Sequence, residues 1–257
     1  LVLLGGLDVR DYKGIHFTEL TDLLGGRFFA DNSNVNNPNA QVQVGDKYSY
    51  YNDGLVRWMG LFGQLEYSKD DLSVFLSSAV SNTTYSKTDF MKYAPTDPKR
   101  ESEKADFLGY SVKGGANYNI DETNNVFANI GYFSKAPFLT GNVFLSDRST
   151  DLNADALNEK VFSTELGYGY RNDKLSANVN LYMTSWLDKA INGSLPGPTS
   201  SDDRVFYNLL GMDALHQGIE VDFRYKLSEE FTVTGMASIG DWQWKSDVSA
   251  IIRTQDG

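Results

Sequence analysis

Few side chains in this sequence are equipped for chemistry. Its 257 residues hold two histidines, His16 and His216, and no cysteine. Without thiols there are no thiolate metal centres, disulfide scaffolds or cysteine nucleophiles. Asp151, Asn153 and Asp155 have the spacing of a calcium loop's first ligands. Such a loop needs glycine at its sixth position and a carboxylate at its twelfth, and the chain has Ala156 and Phe162 there. The polar run from Asp31 to Asn37 consists of turn-forming residues. Neither stretch is assigned a metal. No G-x-S-x-G elbow and no P-loop lysine motif occurs. With no acid–base pair to nominate, the chain is expected to be neither an enzyme nor a cofactor carrier.

Binding is the chemistry left. His16, beside Glu19 and Asp22, reads as part of the first long loop and is positioned to touch a ligand. Phe138, Phe144, Tyr207 and Trp244 are the aromatic residues expected on the same loop side, since ligand contacts concentrate on loops held by a rigid scaffold. Packing among the loops is the plainer role for all five. Lys113, Glu165, Glu220, Asp222 and Arg224 form a second group, expected to line a polar inner wall as structural residues. His216, at the start of a strand, is expected at an interface or in the lumen.

The elements that must position these residues show in the hydrophobic period. Leu175, Ala177, Val179, Leu181 and Met183 alternate with Ser176, Asn178 and Asn180. Ile219, Val221, Phe223, Tyr225 and Leu227 alternate with Glu220, Asp222, Arg224 and Lys226. A period of two puts one strand face in an apolar medium and the other among polar groups. Similar runs near 1–12, 55–67, 71–85, 106–120, 125–135, 160–171 and 230–245 bring the total to about nine strands. Most are roughly 11–16 residues long, against the usual 5–6.

The connections alternate too. Ser68–Asp71, Asp121–Asn124, Asn172-Asp173 and Ser228–Glu230 are short polar hairpin turns. Residues 13–54, 86–105, 136–159 and 190–213 read as long loops. In an up-and-down meander, tight turns then gather at one end and long loops at the other. All six prolines fall in the long loops, where no ladder hydrogen bond is lost.

Trp58, Trp186, Trp242 and Trp244 stand at the long-loop ends of their strands. Tyr67, Tyr118, Tyr168, Tyr170 and Tyr225 stand near the tight turns. Two aromatic belts around an aliphatic band are the pattern of a transmembrane β-barrel. A membrane strand needs roughly 9–11 residues, which these satisfy. A mid-bilayer Lys or Arg facing lipid costs about 2–4 kcal/mol. Accordingly the apolar faces of 106–120, 160–171, 174–187 and 214–227 carry no charge between their ends. A soluble sandwich or lipocalin-like barrel would explain the alternation, but not the strand length or the one-sided loops.

Composition agrees. A net charge of −11 disfavours nucleic acid, which needs clustered cations. An aromatic content of 13% is foreign to disordered chains. The odd strand count, the start at Leu1 inside an alternating run, and the end at Gly257 in a loop point to one arc of a larger barrel. The expected domain is thus a single one over 1–257, all-β and antiparallel, with a plug and closing strands lying outside it.

Three successive stretches resemble the barrel of TonB-dependent outer-membrane transporters. They are Asn129–Phe138, with Tyr132, Ser134, Lys135 and Pro137; Asn158–Tyr168, with Glu159 and Glu165-Leu166-Gly167, followed by Leu181–Trp186; and Gln217–Phe223, with Gly218-Ile219-Glu220. The opening, Gly6–Gly14 with Asp22–Gly26, is similar to transporters of this class from Bacteroidetes. The family's TonB box and plug are absent from these residues. The resemblance implies an outer-membrane location in a Gram-negative cell, contact with outer-membrane lipid, and energy delivered by TonB through a missing N-terminal segment. It also implies a small nutrient ligand, among siderophore-iron, cobalamin, glycan and peptide, and leaves room for a surface lipoprotein partner. The rival expectations are a passive porin-type channel or barrel adhesin, and a soluble secreted β-module that binds glycans.

Overall fold

The computed structural model describes residues 1–146, 148–197 and 204–254. Its twelve strands, in chain order, are β1 (Val2–Glu19), β2 (Phe29–Asp31), β3 (Ala40–Val42), β4 (Lys47–Lys69), β5 (Leu72–Asp89), β6 (Ala105–Asn119), β7 (Asn124–Lys135), β8 (Glu159–Arg171), β9 (Leu175–Pro196), β10 (Arg204–Lys226), β11 (Thr232–Trp244) and β12 (Ala250–Thr254). Nine long strands pair in the order β1-β4-β5-β6-β7-β8-β9-β10-β11, every pair antiparallel. β12 adds to the outer end of β10, and β2 and β3 form a small hairpin inside the first long loop. The sheet is an up-and-down arc that does not close.

The tight turns are closed by side chains. Asp121 Oδ1 accepts from the backbone N–H of Thr123 at 2.7 Å and of Asn124 at 2.8 Å. Asn172 Oδ1 accepts from Lys174 N at 2.9 Å and Leu175 N at 2.7 Å, and Ser228 Oγ accepts from Phe231 N at 3.2 Å. Each side chain mimics a turn carbonyl, which is why Asp, Asn and Ser stand there. In the fourth turn Asp70 takes a left-handed φ of 49°, a conformation short polar side chains tolerate.

Register fixes the faces. Ile219, Val221, Phe223 and Tyr225 stand opposite Leu181, Val179, Ala177 and Leu175. Leu181 stands opposite Leu166, Leu166 opposite Ala128, and Ala128 opposite Ala116. One apolar face therefore runs unbroken across the arc, and it is bare: Leu166 is 56% exposed, Leu108 62% and Ile239 81%. Buried apolar side chains are few, and none of them lies in the middle of that face. A soluble sandwich would hide these residues in a dry centre, so the apolar face can only be satisfied by an external apolar medium.

Two sequence expectations need correction. First, the strands outrun the apolar pattern. β9 reaches Pro196 and β10 starts at Arg204, so most of 190–213 is ladder rather than loop. β1 continues to Glu19, which places His16 in a strand opposite Asn52. Beyond the lipid, apolar residues such as Val205, Phe206, Leu209 and Leu210 fall on both faces, so the ladder continues without a two-residue period. A 23-residue strand rises roughly 75 Å, or roughly 55 Å along the normal when tilted by about 40°, against an apolar band about 25 Å tall.

Second, the tryptophans are not a lipid-facing belt. Trp186 shares its face with Asn178 and Asn180, and Trp242 pairs with His216 on the inner face. Trp244 and Trp58 follow the same parity. Tyr67, Tyr118, Tyr168, Tyr170 and Tyr225 do lie on the outer face near the tight turns. The outer belt at the other end is made instead by Tyr110, Tyr132 and Phe162, with Tyr110 and Tyr132 stacked at 6.0 Å.

Above that belt the outer face turns ionic. Arg57 Nε meets Asp11 at 2.7 Å, and Lys160 Nζ meets Asp188 at 2.7 Å.

Two outcomes test this fold in the full-length protein. Leu181→Lys, midway along the outer face of β9, should cost about 2–4 kcal/mol of folding free energy in lipid vesicles, read by urea titration. Asn180→Lys, one residue away on the inner face, should cost well under half of that. The turn carboxylate of Asp121 is held down to about 2, chiefly by the Thr123 N–H and then by the Asn124 and Thr123 side chains. Because its folded value lies below the unfolded one, its contribution is present above about pH 4 and lost as pH falls through about 2. A carboxyl titration by NMR should give a midpoint near 2.

Candidate functional site

The inner face is concave and polar. An open hollow of about 570 Å3 is lined by Gln64, Glu66, Ser73, Lys113, Asn117 and Asn129, with Phe75 and Phe127 between them. Glu165 accepts from Asn129 Nδ2 at 2.9 Å, and Asp222 accepts from Asn178 Nδ2 at 3.0 Å. Lys113 and Glu165 both border an adjoining hollow of about 330 Å3. Glu220 and Arg224 stand exposed on the same face of β10. All five expected wall residues thus stand on the concave side, where Glu165 and Asp222 are held by neutral amides. At the tight-turn end a separate hollow of about 680 Å3 is lined by Asp71, Asp121, Glu122, Asn125 and Arg171.

At the long-loop end the wall is covered. Thr83, Tyr85, Lys87 and Asp89 occupy successive inner positions of β5, and all four are buried. The connection between β7 and β8, residues 136–158, folds inward over them. Val143 and Phe144 pack with Tyr85, and Val56, Phe107, Leu139 and Leu152 close around them. Tyr85 Oη donates to Pro137 O at 2.7 Å. Lys87 Nζ donates to Ser149 O at 3.1 Å and stands 5.4 Å from the Phe144 ring. Thr150 Oγ1 donates to Lys99 O at 2.6 Å, and Arg148 Nη2 donates to Ser49 Oγ at 3.0 Å. This connection is therefore pinned to the one between β5 and β6 and to the ends of β4 and β5, and the mouth carries a small apolar core of its own.

Beside this roof, Glu159 is buried between two ammonium groups, Lys135 at 2.9 Å and Lys189 at 3.0 Å. Lys189 Nζ also lies 4.6 Å from the Trp186 ring. Further along the same face Trp186, His216, Trp242 and Tyr182 gather. The sequence reading missed this group because it put the tryptophans in lipid. The parity of Trp186 with Asn178 and Asn180 was the available signal.

The five loop-side residues do not form one site. Phe144 is 1% exposed and serves the roof core, so of its two expected roles it takes packing and not ligand contact: its ring is already surrounded by protein. His16, corrected from loop to strand, is half-buried on the inner face of β1. Phe138 is 66% exposed, with Lys135 Nζ 5.0 Å from its ring. Tyr207 is half-buried on β10 opposite Gly193, and Trp244 is exposed at the end of β11. Seven strands separate His16 from Trp244. No hydrogen bond or ring contact joins any two of the five. Asn153 of the calcium-like run is spent on structure, donating to Asn142 O at 3.0 Å and accepting from Asp155 N at 3.2 Å. Among the described residues no group of three or more His, Asp or Glu side chains is arranged to hold a metal ion.

A bare apolar outer face, a polar concave inner face and one-sided long connections define the wall of a transmembrane β-barrel. Residues 3–255 match the family model described as TonB dependent receptor-like, beta-barrel, and the chain belongs to that family. It is a family of outer-membrane receptors and transporters rather than of enzymes. Among solved structures the copper transporter OprC is similar in fold, with a TM-score of 0.68 at 16% identity. The likeness covers 97% of this chain and 36% of OprC, so the chain spans about a third of that transporter's length. No curated protein sequence matches the chain.

Removing the ring at the centre of the roof tests the packing. Phe144→Ala should cost the docked connection about 3–5 kcal/mol. Hydrogen exchange should rise sharply across 136–158, while the central rungs of β6, β7 and β8 keep their protection.

Proposed function

We propose that this arc forms part of the barrel of an outer-membrane importer energised through TonB, whose plug and TonB box lie in sequence outside these residues. The observation that carries the reading is the two-sidedness of the sheet. A continuous lipid-compatible face backs a polar concave wall that is roofed by folded connections at one end only. That geometry suits capture of a solute from outside and its passage along Lys113, Glu165, Asp222 and their amide partners. Its cargo would be a scarce nutrient of the siderophore-iron, cobalamin, glycan or peptide kind, handed over in some systems by a surface lipoprotein. The copper of OprC belongs to OprC.

Energy coupling separates this reading from a passive channel. In cells dependent on the full-length gene for growth on a limiting nutrient, deletion of TonB should abolish uptake to the level of a strain lacking the gene. Uptake undiminished without TonB would assign the protein to the porin-type channels instead.

A further inference from the structure

Four aromatic side chains meet on the inner face at the outer end of β9, β10 and β11. His216 lies between Trp186 and Trp242, with ring centroids 6.4 and 6.5 Å away. Trp242 Nε1 donates to Tyr182 Oη at 3.0 Å. Tyr182 reaches across because Gly218 and Gly240 stand in its path. A Cβ at either glycine would sit 2.8 Å from the tyrosine oxygen, and one at Gly240 would also sit 2.8 Å from the Trp242 indole. The rings crowd together at tilts of 55° and 62° to one another, and Trp242 is left 61% exposed on the inner face. On the outer face, Gln217 and Asp241 mark this level, one rung beyond the last aliphatic pair, Ile219 and Ile239. The platform therefore stands within the mouth, at the outer edge of the lipid-facing band and below the ladder that runs on to Pro196 and Arg204.

Its polar atoms select the solute. Trp186 Nε1 is buried without a hydrogen-bond partner, so this indole offers a solute its ring and not its N–H. Tyr182, accepting from Trp242, keeps its own hydroxyl proton to give. Lys189, the cation beside Trp186, is ion-paired with Glu159, which it shares with Lys135. The nearest charges towards the tight-turn end are carboxylates: Glu165 opposite Tyr182, and Glu220 one position further along β10. These repel anions and accept from hydroxyl groups. A metal ion would meet a single imidazole here. A solute with a flat C–H face to stack on indole and a rim of hydroxyls to pair with these donors and acceptors satisfies these groups.

We infer that Tyr182, Trp186, His216 and Trp242 form a stacking subsite for a neutral oligosaccharide at the mouth of the barrel. The inference rests on reading the arc as an importer wall and narrows its cargo to glycans.

Calorimetric titration of the full-length protein in detergent with maltohexaose and with cellohexaose tests it. At least one sugar should bind saturably. Trp242→Ala and Trp186→Ala should each weaken binding tenfold or more with an unchanged circular dichroism spectrum, whereas Trp242→Phe keeps most of it and Trp58→Ala all of it. No saturable heat with either sugar, or binding indifferent to Trp242→Ala, overturns the subsite. So does tighter binding of inorganic phosphate at the same residues. Sugar binding that follows Trp242 alongside uptake independent of TonB would sink the importer reading and leave the subsite standing. TonB-dependent uptake of a nutrient other than sugar, with no sugar binding, would do the reverse.

Discussion

Contact between aliphatic side chains and hydrocarbon is the constraint from which the rest of this molecule follows. Each of nine long strands gives one row of Leu, Val, Ile, Ala or Gly to that contact, and those rows stay bare in the folded chain. A backbone in hydrocarbon cannot leave N–H or C=O groups unpaired, so the rows exist only on continuous ladders. The ladder requirement in turn forces the alternation. Whatever faces lipid at one residue must face the lumen at the next, and the polar wall is the obligatory reverse of the apolar one.

That coupling made the central part of the fold legible. Leu175 to Met183, interleaved with Ser176 to Asn180, declares both faces at once, and the short turns at Asp121, Asn172 and Ser228 carry their own closing acceptors. Legibility ends where lipid ends. Past Leu187 polar and apolar residues mix without alternation in β9, so the nine further residues of ladder up to Pro196 look like loop. His16 was misplaced for the same reason. The tryptophans show a different failure. Position along a strand was read correctly, but the face was assigned by analogy with aromatic belts rather than by counting parity. Phe144 lay beyond either method. Its burial depends on a 23-residue connection folding back onto β5, a long-range event that no local period announces.

The mouth is built by other means than the wall. Within the bilayer, stability comes from ladders and lipid contact, and no side-chain core is needed. Outside it, the strands run on into water and their inner faces are covered by protein: Tyr85, Val143 and Phe144 form a compact core there, tied by Lys87, Thr150 and Arg148 to backbone and hydroxyl partners. Such a rigid roof leaves ligand contact to the uncovered stretch of wall on β9 to β11, where flat aromatic rings replace the amides found lower down.

Spin labels along β9 test the central claim most directly, because these 257 residues hold no native cysteine to be labelled beside an introduced one. Cysteines placed one at a time at 176–183 in the full-length protein, reconstituted in lipid, can be compared for collision with oxygen and with a water-soluble nickel chelate. Labels at 177, 179, 181 and 183 should favour oxygen and those at 176, 178, 180 and 182 nickel, alternating residue by residue. Odd-numbered labels shielded from both reagents would mean that protein, not hydrocarbon, covers the apolar face, and would contradict the account.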